Sequence, residues 1–460
     1  MNKKEPLPTI TVIGSGYVGV TSAAIFANAG YKVYALEINP KRLATIKAGR
    51  SFFYEDFLNP LLEKAVKSGQ LIATDSYKEA IPKSDIVFSC VGTPDNPDGS
   101  SNLSYIYAAA SETALYAKTG LVYAQKSTVP VGTGAKVEKI FHDAGARISY
   151  VSNPEFLREG TALLDSLWFD RVVVGGADPL ATKAIIDVYQ HVSNLRDTIA
   201  QVADMTPSST VVSDPEYIAT SRNSAELIKV SANAFLALKI SFANSIAKLA
   251  DAAGADVVEV MDGIGADARI GRSFLNAGRG YGGGCFPKDV SGLISSGLQH
   301  GIDLGIMQAA SAENHAMPGY ILEKAMNHIE GESFVGKKVA FLGIAFKAGT
   351  SDVRKSPAIK MVNLLSEKME ANVHAYDPQA LAEEDARGQL HDDVTISLDI
   401  DSALRDADMV IIATDWKEFK DFPLEAYATL LNGTILVDAM NCLDPTAVRN
   451  AGLTYVGVGR

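Results

Sequence analysis

The chain has 460 residues, 47% of them hydrophobic and 21% charged, with a formal net charge of -12. That length exceeds one ordinary hydrophobic core and predicts two or three domains, while the composition excludes a disordered or collagen-like chain. The acidic balance argues against a nucleic-acid partner, and the three widely spaced cysteines (Cys90, Cys285, Cys442), with no CxxC pair, exclude a disulfide framework.

From Met1 to Pro8 the chain is polar and lacks the apolar centre of a signal peptide, and no run of about 18 apolar residues follows it. A soluble, cytoplasmic protein with no membrane partner is expected. Thr9 to Ile13 reads as a strand and Val20 to Asn28 as the helix after it. Lys32 to Leu36, Ile86 to Val91, Leu121 to Lys126 and Arg171 to Val174 read as further strands. Strands alternating with helical patterns imply a parallel sheet with right-handed crossovers. From Ser224 to Gly254 the period becomes helical for about eight turns, which suits a central strut joining lobes or subunits. The alternation then returns, with strands at Lys338 to Leu342, Asn372 to Tyr376, Met409 to Ala413 and Thr434 to Val437 and a helix at Ala358 to Lys368. The expected division is 1–213, 214–325 and 326–460.

Gly14-Ser-Gly16-Tyr-Val-Gly19 follows the first strand and opens a helix. Glycines at these positions permit a tight turn, close approach to a pyrophosphate, and close packing of helix on strand. Glu37 ends the second strand, where a carboxylate accepts from a ribose 2′-hydroxyl and repels a 2′-phosphate, so NAD is expected rather than NADP. The segment Gly278 to Asp289 concentrates the chemistry, because a glycine-rich loop runs straight into Cys285, Phe286, Pro287, Lys288 and Asp289. A thiol at a helix N-terminus beside a lysine is favoured as thiolate, and Asp289 lies one turn on. Cys90 and Cys442 have no such setting and read as inert thiols. Lys229 and Asn233 share one face of the long helix, where an ammonium and a carboxamide could stabilise an oxyanion. Glu155 and Glu159 are paired at the same spacing in Asn153-Pro-Glu-Phe-Leu-Arg-Glu-Gly160.

Together with Ser127 to Thr133, Ser224 to Leu236 and Phe346-Lys347, these segments resemble, in order and over nearly the full length, the UDP-glucose/GDP-mannose dehydrogenase family. The resemblance implies an α/β fold with an N-terminal Rossmann-type NAD domain, a central region built on one long dimer-forming helix, and a smaller C-terminal α/β domain for the nucleotide sugar. It implies four-electron oxidation of UDP-glucose at C6 to UDP-glucuronate, with NAD as cofactor and no metal. In that chemistry Asp289 and Thr128 position a water that takes the alcohol proton, and Lys229 steadies the oxyanion beside Asn233. Cys285 captures the aldehyde and carries a thioester, and water activated near Glu155 hydrolyses it.

The resemblance also distributes the binding positions. Gly14, Gly16, Tyr17, Val18, Gly19, Glu37 and Arg42 would hold NAD, as would Val91, Gly92, Thr93 and Pro94 on its adenosine side. Ser127, Thr128 and Glu159 would lie near the nicotinamide, with Arg354 reaching it from the C-terminal domain. The substrate positions would be Glu155, Phe156, Leu157, Arg158 and Glu159, then Lys229 and Asn233, then Phe274, Asn276, Gly280, Tyr281 and Gly282, and finally Phe346 and Lys347. Arg269 would reach the substrate of a neighbouring subunit in a homodimer. Two departures stand out. Met440 occupies a place that usually carries an arginine beside the substrate, and the stretch from Val192 to Ser224 is longer than the family's and reads as a surface excursion. The alternatives are the same chemistry on GDP-mannose or a UDP-N-acetylhexosamine, a two-electron 3-hydroxyacid dehydrogenase, and an inactive NAD-binding scaffold. NADH formed per substrate separates the last two from the first.

Overall fold

The computed structural model describes residues 6–206, 214–382 and 384–460. The chain divides into two compact units, Met1–Ala232 and Asn233–Arg460. The helix Arg222–Ala253 runs across that boundary without a break.

The first unit is built on eight strands: β1 (Ile10–Ile13), β2 (Val33–Leu36), β3 (Leu71–Thr74), β4 (Ile86–Ser89), β5 (Leu121–Gln125), β6 (Ile148–Ser152), β7 (Arg171–Gly176) and β8 (Glu216–Thr220). They lie in the order β3-β2-β1-β4-β5-β6-β7-β8. Every residue of β1, β2 and β4 is buried, because helices cover both faces, and such strands read as unbroken apolar runs. One face packs Ile10, Val12 and Val33 against Phe26, Leu61 and Ile185. The other packs Ile13, Leu36 and Val87 against Ile106, Val137 and Phe141. The chain order reverses between β1 and β4, and open sheets of this kind bind ligands outside the strand ends at such a point.

Two expectations are corrected here. The sheet is not wholly parallel, since β7 runs antiparallel to β6 through Val151↔Gly176 and Ser152↔Gly175. Nor is the stretch from Val192 to Ser224 a surface excursion. Its start is the end of the helix Pro179–Ala200, with Val192, Ile199 and Ala200 in the core, and Met205 joins the same cluster. Its end is β8, which extends the sheet beside β7. Apolar residues spaced for a helix and for a strand stand on either side of 207–213, which lie outside the described residues.

The second unit holds six parallel strands: β9 (Lys338–Leu342), β10 (Asn372–Tyr376), β11 (Thr395–Ile396), β12 (Met409–Ile412), β13 (Ile435–Asp438) and β14 (Thr454–Gly457). Their order, β11-β10-β9-β12-β13-β14, repeats that of the first six strands of the other sheet. The reversal falls between β9 and β12. Val339, Phe341, Ile411 and Val437 bury one face against Met361, Val362 and Leu365, and Leu342, Val410 and Leu436 bury the other against Phe419 and Tyr427. The helix expected at Ala358 to Lys368 begins at Pro357, capped by Ser356, and widens to π geometry over Leu364–Lys368. The part of the long helix in this unit packs Ala243, Ala247 and Ala250 against Met261, Met317 and Ile321. Small side chains let neighbouring elements approach closely there. The helix has the length and the hydropathy (1.2 over 18 residues) of a membrane span, with 44% of that window buried in the protein, and it also carries the buried polar residues Ser241 and Asn244.

Candidate active site

β1 passes directly into the helix Tyr17–Asn28 through Gly14-Ser15-Gly16. Gly16 is the N-cap and supplies no side-chain hydrogen bond, and the space where its Cβ would stand is open. Uncapped N–H groups at a helix start attract an anion. Gly19 is needed for a different reason, since a Cβ there would stand 1.9 Å from the Gly14 carbonyl oxygen. Glu37, buried at the end of β2, accepts from the N–H of Asn39 at 2.8 Å and of Ser15 at 3.3 Å. It therefore stands beside the glycine turn, where the ribose of a dinucleotide follows the pyrophosphate. These residues fit NAD. Tyr17 packs on Phe53 with ring centroids 4.0 Å apart, Val18 packs on the core, and Arg42 is exposed over the Phe52 ring at 4.7 Å. Beyond β4, the turn from Val91 through Gly92 and Thr93 to Pro94 is tied to the end of β5, because the Ser127 hydroxyl donates to the Val91 carbonyl at 2.7 Å. Thr128 is half-buried next to it.

The segment after β6 brings the first acid and the lysine together. Glu155 and Lys229 are buried and lie 3.3 Å apart. The other Glu155 oxygen accepts from the Leu157 N–H at 2.8 Å. Phe156 presents its ring to two cations, Arg171 at 4.0 Å and Lys229 at 5.2 Å. Arg158 is exposed and clasps Asp165, and Glu159 is half-buried just before the Gly160 turn. Glu55 secures that turn by accepting from Gly160 N at 2.8 Å and Ala162 N at 2.6 Å. Glu226, one turn before Lys229, accepts from Gly132 N and Gly134 N, each at 2.7 Å. The helix that carries Lys229 is thus bonded to the loop that carries Thr128.

In the second unit Cys285 is the N-cap of the helix Phe286–Gln299, with Pro287 in its first turn. Asp289 is buried, and its N–H donates to the Cys285 carbonyl at 2.9 Å. One Asp289 oxygen accepts from the buried Asn233 amide at 2.6 Å, and the other pairs with Lys288. Thiol, carboxylate, ammonium and carboxamide therefore cluster at one helix start, where the dipole favours negative charge. Cys90 is buried with its thiol pushed up to about 12 by desolvation, and burial likewise raises the half-buried Cys442. Neither is poised to react.

The loop before Cys285 is locked by close packing. Gly280 has φ +99, and a Cβ there would meet the Asn314 side chain at 2.4 Å. Asn314 grips the next residue from both sides, accepting from Tyr281 N at 2.7 Å and donating to Tyr281 O at 3.0 Å. The chain after β9 lies against the same loop. Gly283 N donates to Arg354 O at 2.8 Å, the Phe346 ring abuts Gly283, the Lys355 carbonyl abuts Gly282, and the Arg354 guanidinium abuts Gly284. Arg354 is also clasped by Asp352, and Lys347 stands over the Phe346 ring at 5.8 Å. Phe274, with φ 66, faces Phe286 at 6.1 Å. Two further expected substrate positions are exposed: Asn276 is bonded to Arg272, and Arg269 is bonded to Asp267. Half-buried Met440 donates its N–H to Asp438 at 3.2 Å.

Lys126 and Asn314 escaped sequence reasoning, and Arg279 was read only as part of the glycine-rich loop. Arg279 is 1% exposed and donates to the carbonyls of Ala413, Ala345 and Phe346 and to the Thr414 hydroxyl. Burial pulls its guanidinium down to about 10. It thereby ties together the chain leaving β9 and the chain leaving β12, at the reversal in strand order. An arginine between two glycines was the available signal.

Comparison with known proteins agrees with this arrangement. Three models of the UDP-glucose/GDP-mannose dehydrogenase family match the chain: the NAD binding domain over residues 8–193, the central domain over 223–316, and the UDP binding domain over 340–445. The UDP-glucose 6-dehydrogenase TuaD of Bacillus subtilis is 38% identical over 98% of this chain and 93% of its own length. The structure of a UDP-glucose dehydrogenase from Pyrobaculum islandicum superposes with a TM-score of 0.86 at 35% identity, covering 100% of this chain and 99% of that one. A UDP-D-ManNAc dehydrogenase from Pyrococcus horikoshii superposes with a TM-score of 0.83 at 26% identity, covering 98% and 99%. With catalytic-type residues in both units and matches along nearly all of its length, the chain belongs to the UDP-glucose/GDP-mannose dehydrogenase family.

Proposed function

We propose that this protein oxidises C6 of UDP-glucose to UDP-glucuronate in two NAD-dependent steps joined by a covalent bond to Cys285. Held by the turn from Gly14 to Gly19 and by Glu37, NAD would supply the acceptor for the C6 hydride in each oxidation. In the first, Asp289 and Thr128 hold the water that accepts the hydroxyl proton, while Lys229 and Asn233 stabilise the alkoxide. The Cys285 thiolate adds to the resulting aldehyde, and Lys229 again faces the oxyanion. Loss of the second hydride leaves a thioester. Water deprotonated beside Glu155 attacks its carbonyl, the C–S bond breaks, and carboxylate and free thiol result.

The observation that carries this reading is the buried Asn233–Asp289 pair at the helix start capped by Cys285. A two-electron alcohol oxidation needs no thiol, so a cysteine placed beside a proton-handling carboxylate points to a second oxidation. The open, uncapped turn at Gly16 and the carboxylate of Glu37 support NAD. The NAD-binding, helical and UDP-sugar-binding parts are assigned to 1–213, 214–325 and 326–460. The protein works as a soluble cytoplasmic homodimer. Phe235, Phe242 and Leu249 support the dimer, since they are 60%, 47% and 63% exposed at seven-residue intervals along the long helix, a spacing that builds a seam between two helices.

The test is NADH released per nucleotide sugar across a panel of UDP-glucose, GDP-mannose and UDP-N-acetylhexosamines. UDP-glucose should be consumed with about two NADH per molecule. One NADH per molecule would remove the thioester route, and a preference for another sugar nucleotide would remove the substrate assignment.

A further inference from the structure

The chemistry proposed above gives Lys229 a task that its surroundings oppose. Lys229 lies 3.3 Å from Glu155 with both groups buried, and a pair that neutralises itself has little charge left for an oxyanion. A second buried ammonium is tied to the segment that carries that carboxylate. Lys126, at the end of β5, is 6% exposed. Its Nζ donates to the Tyr189 hydroxyl at 2.9 Å and lies 5.4 Å from that ring's centroid. Tyr189 in turn donates to the Asn153 side-chain oxygen at 2.8 Å, and the Asn153 amide donates to the Val173 carbonyl at 2.9 Å. Asn153 leads through Pro154 directly into Glu155.

Burial alone would pull the Lys126 ammonium down, yet on balance it is raised, by Tyr189, Cys90 and Glu155. Near neutral pH the Cys90 thiol is protonated, being pushed up to about 12, and a phenol is neutral as well. Glu155 is the carboxylate among these groups. Among the described residues, the charged or titratable groups coupled to it include Lys229 from the long helix, Lys126 beyond β5 and Cys90 beyond β4, while Arg171 covers the ring of the adjacent Phe156. Glu155 thus pairs with one buried ammonium, Lys229, and is coupled to a second, Lys126, in a medium where charge is poorly screened.

We infer that Lys126 is a positioning residue of this reaction: it steadies Glu155 through its charge and through the Tyr189–Asn153 chain, and so leaves the charge of Lys229 to the oxyanion. The inference rests on the reaction proposed above. It adds a residue that does not touch substrate.

The full-length enzyme with UDP-glucose and NAD tests it through Lys126→Met, which keeps length and apolar bulk while removing the charge. Loss of one of two neighbouring cations should move the acidic limb of kcat towards higher pH, by about one unit, and lower kcat roughly tenfold with little change in KM. In an enzyme that already carries Glu155→Gln, adding Lys126→Met should leave the pH profile where it was, because the carboxylate that Lys126 acts on is gone. If Lys126→Met fails to fold, Tyr189→Phe removes the hydroxyl that holds the ammonium and should shift the limb in the same direction by less. A folded Lys126→Met enzyme with an unmoved acidic limb overturns the inference, as does an equal shift in the presence and absence of Glu155. A wild-type enzyme that fails to release two NADH from UDP-glucose would instead overturn the underlying reaction, and wild-type stoichiometry is measured first to keep the two apart.

Discussion

Glu155 accepts from the Leu157 N–H with one oxygen and faces Lys229 with the other, so replacing it with glutamine keeps hydrogen bonding while removing its ability to take a proton. Both hydrides leave before hydrolysis in the proposed sequence. Glu155→Gln should accordingly give a burst of about two NADH per site followed by turnover slowed roughly a hundredfold or more. Mass spectrometry of the quenched protein should find the glucuronyl adduct on Cys285. Neither burst nor adduct would transfer the hydrolytic role to another group. At this scale the cysteine was legible in the sequence, because five glycines before it and a proline and lysine after it mark a loop entering a helix beside positive charge. Lys126 was not. A lysine ending an apolar strand resembles one that reaches solvent, and its burial follows from Tyr189, which lies 63 residues away in the chain.

The long helix shows how an element can be legible while its surroundings are not. Its helical period was plain from Ser224 to Gly254, and it spans Arg222–Ala253. The pattern also separates the alanines that face the second unit's core from the exposed Phe235, Phe242 and Leu249 on a neighbouring face. Replacing Phe242 with aspartate should weaken self-association by roughly thirtyfold or more, as expected for an aromatic at the centre of an interface. Sedimentation velocity that still finds wild-type association would place the interface elsewhere. The other element-scale device is the Arg279 brace between the chain after β9 and the chain after β12. Arg279→Met would leave the carbonyls of Phe346 and Ala413 without this donor and the Ala345 carbonyl with the Thr414 hydroxyl alone, a loss of about 3 kcal/mol for a buried charged donor with several partners. A lowered urea midpoint would follow, and an unchanged midpoint would mean that water replaces the guanidinium at no cost.

Over the whole molecule, stability should depend on pH through carboxylates that folding buries. Asp438, at the end of β13, is fully buried and accepts from Leu443 N at 2.8 Å, Met440 N at 3.2 Å and the Tyr455 hydroxyl at 3.2 Å. Burial raises its carboxyl, and the backbone donors only partly offset this. The folded protein therefore holds this proton to a higher pH than the unfolded chain. The stability it contributes is complete below the ordinary carboxylate range near pH 4 and is lost as pH rises through the raised value, at about 1.4 kcal/mol for each pH unit of displacement. In denaturant titrations across that window, wild type should lose stability relative to Asp438→Asn as pH increases. Parallel pH profiles of the two proteins would exclude Asp438 as the source.

By itself the sequence determined the class of fold, the dinucleotide turn, the long helix and the glycine-rich loop that runs into the helix capped by Cys285, because each depends on neighbours within a few residues: strand period, helix period, and glycine beside a turn or a cap. Only the tertiary structure decided that β7 reverses direction and that β8 closes the stretch after Val192 into the sheet. It alone brought Lys229 to Glu155, Asn233 to Asp289, and Lys126 through Tyr189 to Asn153. Those pairings join residues 36 to 74 positions apart. They exist because burial leaves a charged or polar group few partners, and which partner is within reach is set by the packing of whole elements.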